Sequence, residues 1–125
     1  MSTTSRTAMV ADDQFHVRLF AKQVLKSLGF EVVAEAANGN EAVAFYKEKK
    51  PSLVLLDVSM PLKNGDDALA EIRAADPDAR VIMLTSMTDE AIVARCLELG
   101  AANYVRKDAP VAELQALIRA TMGDA

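Results

Sequence analysis

A single cysteine, Cys96, in 125 residues rules out an internal disulfide and any zinc cluster built on cysteines. It falls on the apolar side of a helical pattern, which predicts buried filler. Histidine is as scarce: His16 is the only one, early in the first predicted helix, where it reads as a solvent-facing residue. There is no excess of basic charge either. Fourteen Lys and Arg against eighteen Asp and Glu give a net charge of −4, which argues against capture of nucleic acid or of an anionic membrane. Lys47, Lys49 and Lys50 do cluster, but Glu48 among them and Pro51 behind them mark a solvated helix end. No stretch reaches the length of a membrane span, and Met1 to Arg6 is polar with no apolar segment behind it. Neither an anchor nor a signal peptide is expected, and a cytoplasmic protein is.

What the chain does have is apolar mass, 51% hydrophobic residues, enough for the core of one compact domain. Its organising stretch is Ser52 to Gly65. Leu53 to Leu56 is an apolar run too short for an ordinary helix and bounded by Pro51, so it predicts a strand buried on both faces. That strand ends on Asp57. Pro61 and Asn64-Gly65 then supply turn chemistry, Pro fixing φ and Asn-Gly tolerating positive φ, so a loop is predicted over the strand's end.

The same pattern recurs along the chain. Ala8 to Ala11 is a second apolar run, ending in Asp12-Asp13, and Asp13 is also expected to cap the helix that follows. That helix carries Val17, Phe20, Ala21, Val24, Leu25 and Leu28 at threes and fours, with Gly29 as a left-handed stop. Phe30 to Ala36 is less apolar and suits an outer strand, and Asn38-Gly39 turns the chain into a helix from Asn40 to Lys49. After the Asp57 loop, a helix with Ala68, Leu69 and Ile72 on one side halts near Asp76-Pro77. Arg80 to Thr85 is a third buried strand, ending on hydroxyls. Asp89 is predicted to begin a helix that Gly100 stops, Ala102 to Arg106 to form a short strand before Lys107, and Pro110 to open the last helix in its first turn. The sum is (βα) five times over, an α/β fold with a parallel sheet, its most apolar strands central and helices on both faces.

In such a sheet Asp12, Asp13, Asp57, Thr85 and Lys107 all fall just past strand ends and gather at the carboxyl rim, where ligands collect. Three carboxylates forced together repel unless a cation intervenes. Oxygen ligands without His or Cys specify a hard ion, for which Mg²⁺ is the natural choice. Metal, lysine and hydroxyl around a carboxylate describe a phosphoryl-transfer site, and attack by the carboxylate gives an acyl phosphate.

The Asp12-Asp13 pair, Asp57 with Met60-Pro61 and Asn64-Gly65, Thr85-Ser86, and Lys107 three residues after Tyr104 together resemble the receiver domain of two-component response regulators. The resemblance implies a flavodoxin-like strand order 2-1-3-4-5, with a receiver domain over 7–122, a disordered segment over 1–6 and a tail over 123–125. It further implies that Asp57 accepts a phosphoryl group from the phosphohistidine of a sensor histidine kinase or phosphotransfer protein. Asp12, Asp13, Asp57 and the backbone carbonyl of Ser59 would hold Mg²⁺. Lys107 would pair with the phosphate, Thr85 would turn its hydroxyl onto it, and Tyr104 would rotate inward as Thr85 moves. The readout would be the face of the fourth helix, fifth strand and fifth helix, for a downstream protein target or a homodimer. Catalysis would extend only to the chain's own phosphorylation and dephosphorylation.

Taken singly, Thr85 reads as an ordinary strand-end residue and Tyr104 as a half-buried edge-strand aromatic. Their coincidence with three acids and a lysine outweighs that reading. A small phosphatase with Asp57 as nucleophile would want an acid two residues on, where Ser59 stands. A flavin carrier would want a phosphate loop where Asp12-Asp13 would repel phosphate. The run Lys107-Asp108-Ala109-Pro110 departs from receivers with proline after the lysine, whose bond there is commonly cis; a non-proline cis bond costs about 2.5–4 kcal/mol, so trans is predicted. That run resembles receivers that precede a helix-turn-helix domain, so both a stand-alone receiver and the excised amino-terminal part of a transcription factor are expected readings. Finally, the resemblance places Ser59 and Met87 beside the path of the water that removes the phosphoryl group. Apolar Met87 should shield it and make dephosphorylation slow.

Overall fold

The structure, a computed structural model, describes residues 6–86 and 90–123. The expected disordered start up to Ser5, Met87, the predicted helix start at Asp89, and the last two residues of the tail lie outside the described residues. Five strands and five helices alternate: β1 (Arg6–Ala11), α1 (Phe15–Ser27), β2 (Phe30–Ala36), α2 (Gly39–Lys49), β3 (Leu53–Asp57), α3 (Gly65–Ala75), β4 (Val81–Thr85), α4 (Glu90–Glu98), β5 (Asn103–Arg106) and α5 (Val111–Thr121). The sheet is parallel throughout, in the order β2-β1-β3-β4-β5, as the family resemblance implies.

The apolar runs occupy the centre because a central strand must bury both faces. Every residue of β3 and β4 is buried, whereas β2 and β5, at the two edges, mix buried and open positions. Alternation then divides the core in two. Met9, Ala11, Val54, Leu56, Val81 and Met83 pack with residues of α2, α3 and α4 such as Tyr46, Leu69, Ile72 and Cys96. Ala8, Val10, Leu53, Leu55, Ile82 and Leu84 pack with residues of α1 and α5 such as Leu25, Leu114 and Ile118. Cys96 is thus the buried filler predicted for it, and burial pushes its thiol up. No described helix is long and apolar enough to cross a membrane.

Helix ends follow local chemistry where side chains can supply it. The Asn38 side chain accepts from Glu41 N at 2.8 Å, and Glu41 Oε1 accepts from Ala37 N at 2.8 Å, a reciprocal pairing that starts α2. Gly29 (φ 89°) and Gly100 (φ 103°) take the left-handed conformation expected after α1 and α4. Tyr46, buried on α2, donates its hydroxyl to Asp76 Oδ2 at 2.7 Å and ties α2 to the end of α3.

Two local expectations are corrected, and the loop after β3 takes its left-handed residue elsewhere than at Asn-Gly. Asp13 does not cap α1: the N-cap is Gln14, and its N–H is taken up by Asp12 Oδ1 at 2.8 Å. Pro110 is the N-cap of α5 rather than a residue of its first turn. Neither Asn64 nor Gly65 takes positive φ; Asn64 is the N-cap of α3, Gly65 its first residue, and the left-handed residue of the loop is Leu62, at φ 68°.

Candidate functional site

The parallel register brings the predicted residues to one rim. Ala11 pairs with Leu56, so Asp12 follows β1 beside Asp57, the last residue of β3. Asp57 pairs with Leu84 and Thr85 with Arg106, which sets Thr85 and Lys107 one step farther along their strands. Lys107 N donates to Thr85 O at 2.8 Å, carrying the ladder one residue past β5. Among the described residues, the buried polar or charged ones are Asp12, Asp57 and Thr85. A fold that buries little else polar buries these three together, at a cost that only mutual pairing or a ligand offsets.

The pairing is electrostatic. Lys107 Nζ lies 2.8 Å from Asp12 Oδ2 and 3.1 Å from Asp57 Oδ2. Burial alone would lower the lysine's pKa, but its contacts with the two carboxylates outweigh this and the net shift is upward, so it stays an ammonium. Asp57 is pushed above the ordinary carboxylate range, first by burial and then by the charge of Asp12; Lys107 and the Ser59 N–H, which donates to Asp57 Oδ1 at 3.2 Å, oppose the rise.

Carboxylate oxygens of Asp12, Asp13 and Asp57 lie within 4.8 Å of one another. Three carboxylates and one ammonium leave two negative charges at the rim. Asp12 Oδ2, fully buried, meets the Lys107 ammonium and, among the described residues, no other donor, so it retains a lone pair for a further ligand. The set is therefore oxygen-only, short of two positive charges, and open at a buried acceptor. Those features fit a hard divalent cation.

Around this cluster the other predicted residues take distinct places. Asp13 and Ser59 are exposed at the rim. Tyr104 is 42% exposed on the edge strand β5, the open position that an edge-strand aromatic takes. The Lys107–Asp108 bond is trans, as predicted, and Asp108 accepts a two-armed ion pair from Arg106 at 3.0 and 3.1 Å. His16 is exposed on α1, as expected.

Two contacts of the site escape a sequence reading. Gly65 brings its Cα against the carbonyl of Asp57, and a Cβ there would overlap that oxygen and come within 2.9 Å of Val58 Cα. Arg18, one turn into α1, donates from Nη1 to Asp12 O at 2.8 Å. A conserved-looking spacing could not have flagged it, because an arginine on an amphipathic helix reads as part of the solvated face.

The family model for the response regulator receiver domain matches residues 8–119. The chemotaxis protein CheY of Thermotoga maritima is 38% identical over 102 residues, covering 82% of this chain and 85% of the relative. The CheY of Listeria monocytogenes is 43% identical over 99 residues, covering 79% and 83%. Among solved structures, a CheX-CheY-BeF3-Mg²⁺ complex from Borrelia burgdorferi contains a chain that superposes with a TM-score of 0.90 at 30% identity, covering 94% of this chain and 89% of that one.

Proposed function

Because the chain belongs to the response regulator receiver family, whose members work in phosphorylation-activated two-component signalling, we propose that its switch is thrown at Asp57. The observation that carries the assignment is the Lys107 ammonium held between the buried carboxylates of Asp12 and Asp57. A carboxylate oxygen of Asp57 attacks phosphorus, the P–N bond to the donor's imidazole breaks, and an acyl phosphate forms. Lys107, already at Asp57 Oδ2, follows the charge onto the phosphoryl oxygens, and Thr85 supplies a hydroxyl from the neighbouring strand end. Asp12, Asp13, Asp57 and the Ser59 carbonyl would hold Mg²⁺, which when bound neutralises the acids and the phosphoryl oxygens.

The donor must bring its phosphohistidine to this rim, so its docking surface has to border it. A cleft of about 600 Å³ opens beside Lys107 between α1 and the start of α5, lined by Val17, Phe20, Pro110 and Leu114 among others. Phe15, Leu19 and Val111 stand exposed on the same two helices, and a sensor histidine kinase or phosphotransfer protein with an apolar helical surface fits there. Leu97 on α4 and Tyr104 on the edge strand β5 are also exposed and support the α4/β5/α5 face as the readout, for a downstream target or a second phosphorylated copy. Such a chain turns over no foreign substrate, and a cytoplasmic location accords with this role.

Acetyl phosphate with Mg²⁺ should add one phosphoryl group, seen as a mass shift in the intact protein. EDTA should block the reaction, and Asp12→Ala and Asp13→Ala should each raise the Mg²⁺ requirement by about 10-fold or more. Normal labelling in EDTA would remove the metal from the mechanism. For the lifetime of the phosphorylated state, Met87→Glu should lose phosphate faster than the parent at equal Mg²⁺, since a carboxylate can orient the attacking water that a thioether covers. Equal or slower loss would transfer control of the lifetime to the loop around Ser59.

A further inference from the structure

Asp12 is held at four points. Its N–H donates to Ala36 O at 2.9 Å, extending the β1–β2 ladder one residue past the strand. Its Oδ1 accepts from Gln14 N at 2.8 Å and its Oδ2 meets Lys107. The fourth point is its carbonyl. The pairing of β1 with β3 stops at Ala11, so this carbonyl, on a fully buried residue, needs a donor from outside the sheet. Arg18 Nη1 supplies it at 2.8 Å. The guanidinium is itself fixed: its Nε pairs with Glu35 Oε1 at 3.3 Å, Lys22 holds the other oxygen of Glu35 at 2.8 Å, and its Cζ lies over the Phe15 ring at 5.6 Å from the centroid.

The Asp12 carbonyl belongs to the peptide that leads into Asp13. Its orientation therefore sets the direction in which Asp13 leaves the strand, and with it where the exposed carboxylate of the acid cluster stands relative to Asp12 and Asp57. We infer that Arg18 is a positioning residue for the metal site: by fixing the Asp12–Asp13 peptide it presents Asp13 to the cation that Asp12 and Asp57 share. The inference rests on the metal reading above and adds a cation whose contribution is geometric and opposite in sign to its charge. A fixed positive charge near a divalent-cation site opposes binding by repulsion. If Arg18 acted only through its charge, removing it would tighten the site. If it acts through the peptide, removing it leaves a buried carbonyl without a donor, the peptide rotates to find one, and binding weakens.

The test is a Mg²⁺ titration of unphosphorylated protein by calorimetry, with the amide resonances of Asp12 and Asp13 followed by NMR. Arg18→Gln should bind Mg²⁺ about 10-fold more weakly than wild type, the range for removing a group that orients a ligand, and its Asp13 amide should shift even without metal. Unchanged or tighter binding would overturn the role. Should Arg18→Gln fail to fold, Arg18→Lys carries the same test: it keeps the charge and loses the fork, so weaker binding supports the geometric role and equal binding overturns it. A wild type that binds no Mg²⁺ would instead remove the metal reading, and this role with it.

Discussion

Asp57→Asn should leave the protein unable to take a phosphoryl group from acetyl phosphate and, in the absence of Mg²⁺, should raise its thermal stability. The first effect is total because the amide is no nucleophile, and the neighbouring acids do not replace it. Asp12, fully buried and paired with Lys107, and Asp13 are carboxylates that would hold the cation. The second effect follows from the direction of the Asp57 shift. Burial and the charge of Asp12 hold its carboxyl above the ordinary range, so the folded state binds this proton more tightly than the unfolded chain does. The stability this contributes is fully present below the unfolded pKa and is lost as pH rises through the folded pKa. At neutral pH the ionised group is thus a liability that asparagine removes, while Lys107 keeps Asp12 as its partner. The gap between variant and wild type should close as pH falls through the titration of Asp57. Mg²⁺ should act in the other direction, stabilising wild type by about 2.7 kcal/mol at a hundredfold excess over Kd and the variant by less. Melting curves with and without Mg²⁺, beside intact-mass labelling, measure both effects. Labelling of the variant at another acid would move the nucleophile; a variant no more stable than wild type would mean that the Lys107 pair outweighs burial.

The parts of this site that could be read from the sequence are those in which a residue's type fixes its role. An apolar run buried on both faces, as in β3 and β4, leaves no alternation to misread. Three such runs ending on acids or hydroxyls can only bring them to one rim if the strands are parallel. The edges were legible for the same reason: Phe30 to Ala36 carries open positions a central strand could not hold. Helix starts were less so. Asp13 reads as the cap of α1, but the helix starts one residue later, at an N-cap, Gln14, whose side chain makes no capping bond and whose N–H goes to Asp12 Oδ1. Arg18 was invisible because its partner is a backbone carbonyl, and every residue has one of those.

Gly65 marks where residue type is known and its use is not. Glycine can serve by taking positive φ or by lacking a Cβ, and Asn-Gly in a loop suggests the first. Here the second applies. Gly65 N donates to Val58 O at 2.8 Å, which closes the loop after β3 so tightly that the Cα at position 65 rests on the Asp57 carbonyl. Gly65→Ala should therefore cost about 3 kcal/mol, the upper part of the range for overpacking, because the obstruction is backbone that cannot rotate away. Displacing the carbonyl also displaces the carboxylate on the same residue, so labelling by acetyl phosphate should slow by about 10- to 100-fold under conditions where the variant is folded. Gly29→Ala separates the two effects. That glycine has φ 89° with nothing within 4 Å of an added Cβ, so alanine there should cost about 1–2 kcal/mol through backbone strain alone and leave the labelling rate unchanged. If both variants label at the wild-type rate once folded, the approach of Gly65 to Asp57 shapes the loop without placing the nucleophile; if both slow equally, lost stability rather than geometry sets the rate.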